Sequence, residues 1–299
     1  YNLNIPNNSL MGEIPSEIGN LTQLRYLFMY ENQLTGEIPS ELGNLENLEE
    51  LFLDDNFLEG EIPPELGNLR QLGWLSLYDN FLTGSIPSEL GDMIGLYILD
   101  LSENRLTGNL PSSLGDVSFL QYMVLNNNSL EGTIPSEWAK LGNLEYIDLS
   151  NNNLSGGIPS WLGNFENLSV LRLGGNSLGG QIPSSLLNIP YLGSLNLESN
   201  DLATGSIPSW LGNMPSLYEL NLGNNNFTGE IPSGFENFTS LSSLNLHGNQ
   251  LSGTIPAWIG NYEEFYHLDL SENNFSGNVP ASFSNLRYMT YLNLRGNDL

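Results

Sequence analysis

Residues 72–90 read LGWLSLYDNFLTGSIPSEL, and this stretch decides the fold. Leu75 and Leu77 are separated by one residue, which is the alternation of a short strand that turns its leucines inward. Asn80 follows where the chain turns away, and a buried amide there can satisfy backbone groups of its own and neighbouring coils. The first half of the stretch therefore predicts a strand that ends in an amide-stabilised turn.

The second half of the stretch predicts a return segment that leads to the next repeat. Gly84 permits a close turn, and the Ile86-Pro87 pair favours a second short extended segment, because proline lacks an N–H and suits an edge or a turn. The residues from Ser88 onwards favour a capped helical turn on the outer side. One such unit buries little by itself, so neighbouring units must stack.

The pattern returns at an almost constant interval along the whole chain. A proline recurs every 24 residues from Pro15 to Pro280, apart from one interval of 25 with an extra residue near Ala203-Thr204. An asparagine keeps the same interval from Asn8 to Asn297. A period in the twenties with the pattern L-x-x-L-x-L-x-x-N-x-L indicates a leucine-rich repeat. The sequence predicts an α/β repeat solenoid with about 13 repeats of 24 residues.

The repeats resemble the plant-specific class of leucine-rich repeats. The hallmark L-x-G-x-I-P of that class is present at Leu34–Pro39, Leu82–Pro87 and Leu251–Pro256. Members include receptor-kinase ectodomains and secreted inhibitors of cell-wall-degrading enzymes such as polygalacturonase. The resemblance implies a right-handed superhelix with a parallel inner β-sheet, a second short β element after the asparagine turn, and short helical turns on the convex side. It also implies that the concave face binds a protein or peptide outside the cell or at its surface.

The repeats run from one end of the sequence to the other, so we expect a single solenoid over residues 1–299. The chain opens inside a repeat at Tyr1 and stops inside another at Leu299. The cysteine-bearing capping segments of the family are absent from it. Because an uncapped solenoid end exposes core leucines, we expect the sequence to be a window of a longer protein.

Charge and composition exclude several classes of function. The 299 residues carry 34 acidic against seven basic side chains, for a formal net charge of −27, so nothing could neutralise a run of phosphates in a nucleic acid. The apolar runs are far shorter than the roughly 20 residues of a membrane helix, so we expect no membrane span. The absence of cysteine excludes disulfides, a thiolate nucleophile and a cysteine-bound metal.

Catalytic chemistry is also not indicated. The only histidines, His247 and His267, fall about four residues apart along the strands of adjacent repeats, or roughly 13 Å, too far for a shared metal or a nucleophile–base pair. The nucleophile-elbow, zinc-protease and phosphate-loop motifs are absent. We expect no enzyme activity, no catalytic residue, no metal and no cofactor.

Candidate ligand-binding residues occupy the strand positions that alternate with the leucines. Adjacent strands lie roughly 4.8 Å apart, so the same position of successive repeats forms a column. Aromatic and apolar residues converge in the columns of the second to seventh repeats, at Tyr26, Phe28, Tyr30, Phe52, Trp74, Tyr78, Ile98, Tyr122 and Tyr146. The core does not need them, and exposed aromatic patches mark interaction sites. The alternative is that these rings only pack across neighbouring strands.

Carboxylates accompany the aromatic columns and predict an acidic rim. They are Glu31, Asp54, Asp55, Asp79 and Glu103. Stacked like charges repel, so a basic partner or a hard cation such as Ca²⁺ would offset the cost, and plain solvation is the remaining alternative. Aromatic anchors ringed by carboxylates favour a ligand with an apolar body and basic groups.

A second aromatic column lies two residues after the repeat proline in every second repeat. It contains Trp161, Trp210 and Trp258. These indoles predict a lateral docking or sugar-stacking strip, which makes carbohydrate an alternative partner, unless they fold down over the convex side. N-x-S/T sequons are compatible with a secreted glycoprotein and occur at Asn7, Asn20, Asn127, Asn153, Asn167, Asn226, Asn237 and Asn274.

Together these features favour an extracellular module that recognises a protein or peptide on its concave face. A structural role as a surface-layer or filament segment is an alternative, as is inhibition of a cell-wall-degrading enzyme. Ice binding is less favoured, because it needs a regular array and the position before the repeat glycine reads Thr35, Glu59, Thr83.

Overall fold

The computed structural model describes residues 1–202, 205–262 and 264–299, so the extra residue near Ala203-Thr204 lies outside the described residues. Two compact units are present, Tyr1–Leu154 and Ser155–Leu299. Both are built from copies of one coil, which contains a three-residue inner strand, a tight turn, an extended return segment and a short 3-10 turn. The prediction of one solenoid over the whole length stays a prediction.

The inner strands are parallel and in register within each unit, so that Phe28 pairs with Phe52 and Phe52 with Ser76. In the first unit they span Asn2–Asn4, Tyr26–Phe28, Glu50–Phe52, Trp74–Ser76, Ile98–Asp100, Tyr122–Val124 and Tyr146–Asp148. In the second unit they span Val170–Arg172, Ser194–Asn196, Glu219–Asn221, Ser243–Asn245, His267–Asp269 and Tyr291–Asn293. They confirm the predicted parallel inner sheet.

The return segment forms a short outer strand in most repeats. These strands span Met11–Glu13, Gln33–Glu37, Phe57–Glu61, Phe81–Thr83, Glu131–Gly132, Asn153–Gly157, Ser177–Gly180, Asp201–Leu202, Thr228–Gly229, Gln250–Thr254 and Asn274–Ser276. Gly84, in the turn that the sequence singled out, has a φ of +74°, and a Cβ there would lie 2.8 Å from Cγ of Glu61 in the preceding repeat. The positive φ favours glycine here, and a larger residue would also have to displace the Glu61 side chain.

A 3-10 turn closes each coil. The turns span Ser16–Asn20, Ser40–Asn44, Pro64–Asn68, Ser88–Asp92, Ser112–Asp116 and Ser136–Lys140 in the first unit, and Ser160–Asn164, Ser184–Asn188, Ser209–Asn213, Ser233–Asn237, Ala257–Asn261 and Ala281–Asn285 in the second. The predicted cap at Ser88 is wrong. Pro87 is the N-cap because its fixed φ of −61° suits that position, and the Ser88 hydroxyl donates to the Glu89 carboxylate instead, over 3.1 Å.

Leucines fill the core of each coil, and one asparagine joins each coil to the one before it. Leu51 and Leu53 are fully buried, whereas Phe52 between them is partly exposed on the other face of the strand. The amide of Asn56 donates to the carbonyls of Leu53, Asp54 and, in the preceding repeat, Met29, over 3.0–3.1 Å, and its Oδ1 accepts from the amide of Leu34. The predicted role of this asparagine is confirmed.

Candidate functional site

The inner strands of the first unit carry a continuous group of rings on the face turned away from the core. Phe28 and Phe52 stack with their centroids 4.7 Å apart, and Trp74 meets the other side of Phe52 edge-on, also at 4.7 Å. Tyr26 lies 6.1 Å from Phe28, and Tyr30 lies 6.3 Å from Phe52. With Tyr78 in the next repeat, these residues form what we call the aromatic patch. Its members are half-buried, so each keeps an accessible surface.

Hydrogen bonds to carboxylates hold two of these rings in place. The Tyr26 hydroxyl donates to Oε2 of Glu49 over 3.0 Å, and the same carboxylate pairs with Arg25. The Tyr78 hydroxyl donates to Oδ2 of Asp55 over 2.7 Å, and this bond raises the pKa of Tyr78. Rings fixed before binding lose little conformational entropy when a ligand arrives.

The apolar trail continues beyond the aromatic patch as the sequence predicted. Ile98 pairs with Trp74 on one side and with Tyr122 on the other, and it is half-buried. Tyr122 and Tyr146 stack with their centroids 6.2 Å apart, and the Tyr122 hydroxyl donates to Glu145 over 3.2 Å. Glu145 and Glu49 occupy the same place in their repeats, directly before the third strand position. Sequence reasoning missed these two carboxylates, because the residues between them at this place, Gly73, Tyr97 and Gln121, give no acidic pattern.

The residue at the fifth strand position distinguishes the repeats of the aromatic patch from later repeats on this face. In the fifth repeat, Oδ1 of Asp100 accepts from the amide of Ser102 at 3.1 Å and from its hydroxyl at 2.6 Å, which closes the turn locally. Asp148 closes its turn on Ser150 in the same way. Phe28 and Phe52 take this position in the second and third repeats, and a phenyl ring cannot accept such a bond. The position therefore displays a ring there instead of serving the backbone.

Four of the five predicted rim carboxylates line the turn beside the aromatic patch. We call Glu31, Asp55, Asp79 and Glu103 the acidic ladder. All four have a positive φ of 49–52°, one per repeat. Partial burial, the hydrogen-bonded Asp55 carboxyl and the charge of Glu103 raise the pKa of Asp79. Past Glu103 the same column continues through amides, because Asn127 donates to Glu103 and accepts from Asn151.

Asp54, the fifth predicted rim carboxylate, is not on the rim. It is buried, with 6% of its surface exposed, and it occupies the column position between Tyr30 and Tyr78. Its Oδ1 is the one buried side-chain nitrogen or oxygen atom among the described residues that makes no hydrogen bond. Burial raises the pKa of Asp54 to about 6, which the charges of Asp55 and Asp100 reinforce and the nearby Ser76 partly opposes. The strand pattern predicts which face of the sheet a side chain lies on but not how deeply it is buried. The burial of Asp54 could therefore not be predicted from the sequence.

The three tryptophans of the second unit are half-buried, which is intermediate between the two predicted alternatives. Trp161 meets Phe165 edge-on at 5.6 Å, and Trp258 meets Tyr262 at 6.0 Å. Trp210 lines an open hollow of about 510 Å³ together with Pro183, Pro208 and polar neighbours. The predicted strip stays a prediction.

The sequons divide into two groups by their surroundings. The Asn127 amide is half-buried and bonded within the turn column, as described above. The other sequon asparagines are exposed: Asn7, Asn20, Asn153, Asn167, Asn226, Asn237 and Asn274. Glycosylation at any of them stays a prediction.

The described residues contain neither a metal-binding cluster nor a membrane-spanning helix. Within the ranges that the structure describes, no group of three or more histidine, aspartate or glutamate side chains is arranged to hold a metal ion. The ring of His267 stacks face to face on Tyr291, with centroids 4.5 Å apart. Among the helices of the described ranges, none has the length and apolar character needed to cross a bilayer.

Comparisons with known families match the repeat pattern. One leucine-rich-repeat model matches residues 1–21, 23–45, 47–69, 71–93, 167–189, 191–214 and 265–286. A second model of the leucine-rich repeat matches residues 94–154 and 206–251. Among curated protein sequences, the chain has no match.

Solved structures with the same architecture include plant receptors. The plant peptide hormone receptor RGFR1 in complex with RGF2 is 35% identical over 99% of the chain, with a TM-score of 0.91. The Arabidopsis receptor kinase HAESA ectodomain in complex with an IDA peptide hormone is 33% identical over 99% of the chain, with a TM-score of 0.81. A leucine-rich-repeat protein of Leptospira interrogans is 33% identical over 98%, with a TM-score of 0.80. The chain spans 51%, 57% and 72% of these three structures, respectively.

Proposed function

The chain belongs to the leucine-rich-repeat family, and from this premise we propose that it is a recognition module that binds a protein or peptide on the aromatic patch. Ligand contacts extend from the patch along Ile98, Tyr122 and Tyr146, with the acidic ladder at their side. The module acts outside the cell or at its surface, as one continuous solenoid and without catalysis. The receptor ectodomains among its structural relatives support this assignment.

One observation carries the proposal. The rings of the patch stack on one another and are partly exposed, although the leucines of the same strands already fill the core. A ring that the core does not need and that hydrogen bonds hold in a fixed orientation is suited to anchor a partner. Tyrosine and tryptophan are the residues that most often serve as such anchors.

A random peptide library displayed on phage tests the proposal without a known ligand. Peptides selected on the wild-type chain are then titrated against Phe52→Ala and Trp74→Ala. We expect each substitution to weaken binding about tenfold or more, as for a central anchor. Phe119→Ala is the matched control, because Phe119 is 61% exposed and lies outside the inner strands. Undiminished binding to both patch variants would move the site elsewhere.

The tryptophans of the second unit favour a second candidate surface, for carbohydrate. The hollow beside Trp210 joins an indole to the polar side chains of Gln181, Ser184 and Ser206, which is a combination that can stack on a sugar and bond its hydroxyls. A glycan array probed with the wild type and with Trp210→Ala tests it. Tyr191→Ala is the control, since Tyr191 is 65% exposed and does not line that hollow. Equal glycan binding by all three proteins would remove this surface from consideration.

A further inference from the structure

The buried Asp54 carboxyl differs from the other buried carboxyls of this chain in what surrounds its oxygens. Asp148 and Asp269 are buried to a similar degree, yet each has an oxygen bonded to the amide and hydroxyl of the serine two residues later. Asp54 lies at the seventh strand position rather than the fifth, so this local arrangement does not serve it. A buried polar atom without a partner costs free energy and calls for an explanation, such as an ion or ligand that binds there.

The residues around Asp54 favour a positively charged ligand group. Asp55 and Asp100 lie near it, and each adds negative potential when it is ionised. Two arginines of the same unit are engaged elsewhere, because Arg25 pairs with Glu49 and Arg105 lies 4.5 Å above the ring of Phe81. A group that donates hydrogen bonds and carries positive charge would therefore satisfy Oδ1 and neutralise this cluster.

The rings in the repeats around Asp54 favour a cationic group on an apolar stem. Tyr30 and Tyr78 flank Asp54 in the column, and Phe52 precedes it in the same repeat. Guanidinium and ammonium groups bind over aromatic faces, and their methylene stems pack on apolar surface. A buried carboxyl with a tyrosine in the repeat on each side suits the side chain of an arginine or a lysine.

We propose that Asp54 is the specificity-determining residue of the aromatic patch, and that it pairs with a basic side chain of the ligand inserted between Tyr30 and Tyr78. The proposal rests on the proposed function, since it requires that the ligand bind on the patch. The ligand then has an apolar or aromatic residue next to an arginine or lysine. The acidic ladder draws this residue toward the patch, and Asp54 receives its charged end.

A double-mutant cycle tests the pairing. Peptides selected from the phage library on the wild-type chain are synthesised with arginine and with citrulline, which keeps the shape of the side chain but removes its charge. We expect selected peptides to be enriched in basic residues beside an aromatic residue. We expect Asp54→Asn to weaken binding of the arginine peptide about tenfold. Binding of the citrulline peptide should change little, because that peptide already lacks the charge that pairs with Asp54. Asp92→Asn, an exposed carboxylate at the end of a 3-10 turn, is the matched control.

Several results would overturn the proposal, and they are distinct from failure of the proposed function. Peptides that depend on Phe52 but lack basic residues, or that bind Asp54→Asn as well as the wild type, would refute the pairing alone. Selection that yields no binders, or binders indifferent to Phe52→Ala, would refute the proposed function and the pairing with it. A rise in the melting temperature with millimolar Ca²⁺ that Asp54→Asn abolishes would assign the carboxyl to a metal ion instead. Thermal unfolding of Asp54→Asn verifies that the variant is folded.

Discussion

The phenol of Tyr78 donates to the carboxylate of Asp55 over 2.7 Å, and the two residues belong to adjacent repeats. Tyr78 is part of the aromatic patch, whereas Asp55 is part of the acidic ladder. The bond therefore joins the two surfaces that the proposed ligand would contact, and it fixes the orientation of the Tyr78 ring.

Removal of that hydroxyl should weaken both folding and binding. We expect Tyr78→Phe to reduce the free energy of unfolding by about 1 kcal/mol or less, the usual value of one partly exposed hydrogen bond. Because the ring would no longer be fixed, peptide affinity should fall about threefold or more. Chemical unfolding and peptide titration measure the two effects. Tyr30→Phe is the stability control, since the Tyr30 hydroxyl makes no hydrogen bond in the part of the chain that the structure describes.

Asp54 should make stability depend on pH in a direction opposite to that of most carboxylates. Its pKa in the folded state is about 6, above the ordinary value of 3.8, so between these values the folded chain keeps a proton that the unfolded chain has lost. Ionisation therefore destabilises the folded state; the penalty grows as the pH rises from 3.8 towards 6 and stays at its full size above that. We expect Asp54→Asn to raise the free energy of unfolding by about 2 kcal/mol at about pH 8 and very little at about pH 4.

Urea unfolding at the two pH values checks this expectation, with Asp92→Asn as the variant that should change neither. Equal stability of Asp54→Asn and the wild type at both pH values would contradict it. A variant that is more stable and yet binds more weakly would be a case in which a binding group is held at the expense of folding.

The asparagine that joins neighbouring coils should be among the least replaceable residues. Asn56→Ala would leave several buried backbone groups of two repeats without partners. We expect a loss of about 3 kcal/mol in the free energy of unfolding. The control is Asn44→Ala, at an exposed position at the end of a 3-10 turn, which should change stability by less than about 0.5 kcal/mol. Thermal or urea unfolding of both variants separates the two cases.

Glycine in the 3-10 turns should be required wherever the next turn lies against it. A Cβ on Gly43 would collide with the backbone carbonyl of Glu65, which no side-chain rotation can relieve. We expect Gly43→Ala to destabilise the chain by about 2 kcal/mol or more, because neighbouring turns would have to separate. Gly142→Ala is the matched control, since a Cβ there meets no described atom within 4 Å. Similar melting temperatures for the two variants would show that the turns can move apart freely.

Salt should slow the association of a basic ligand with this surface. The acidic ladder is largely exposed, so its field is screened as ionic strength rises. We expect the association rate to fall between about 20 and about 500 mM salt, and Asp79→Asn to lower the association rate more than it raises the dissociation rate. Surface plasmon resonance with a selected peptide measures both rates. Kinetics indifferent to salt would exclude electrostatic steering.

The sequence is sufficient to predict the coil because each of its elements depends on a local pattern. Leu51 and Leu53 identify the buried side of a strand, and Asn56 can satisfy its partners only where the chain turns. The depth of Asp54 depends on the rings in the repeats before and after it, which no local pattern encodes. Asp100 and Phe28 occupy the same strand position but differ in role, because a carboxylate can accept hydrogen bonds from the turn and a phenyl ring cannot. The D-L-S motif at Asp100 was visible in the sequence, but its role required the geometry of the turn.

The fifth strand position has a consequence for how such a protein changes over time. An aspartate there closes its own turn, as at Asp100, and a phenylalanine there displays a ring, as at Phe28, while the leucines of the same strand remain fully buried. The exchange forfeits the two hydrogen bonds that Ser102 donates, or roughly 2 kcal/mol, and leaves the leucine packing of the coil unchanged. A lineage can therefore acquire a new binding specificity through one substitution at a time, and duplication of a coil copies an anchor together with the scaffold that holds it.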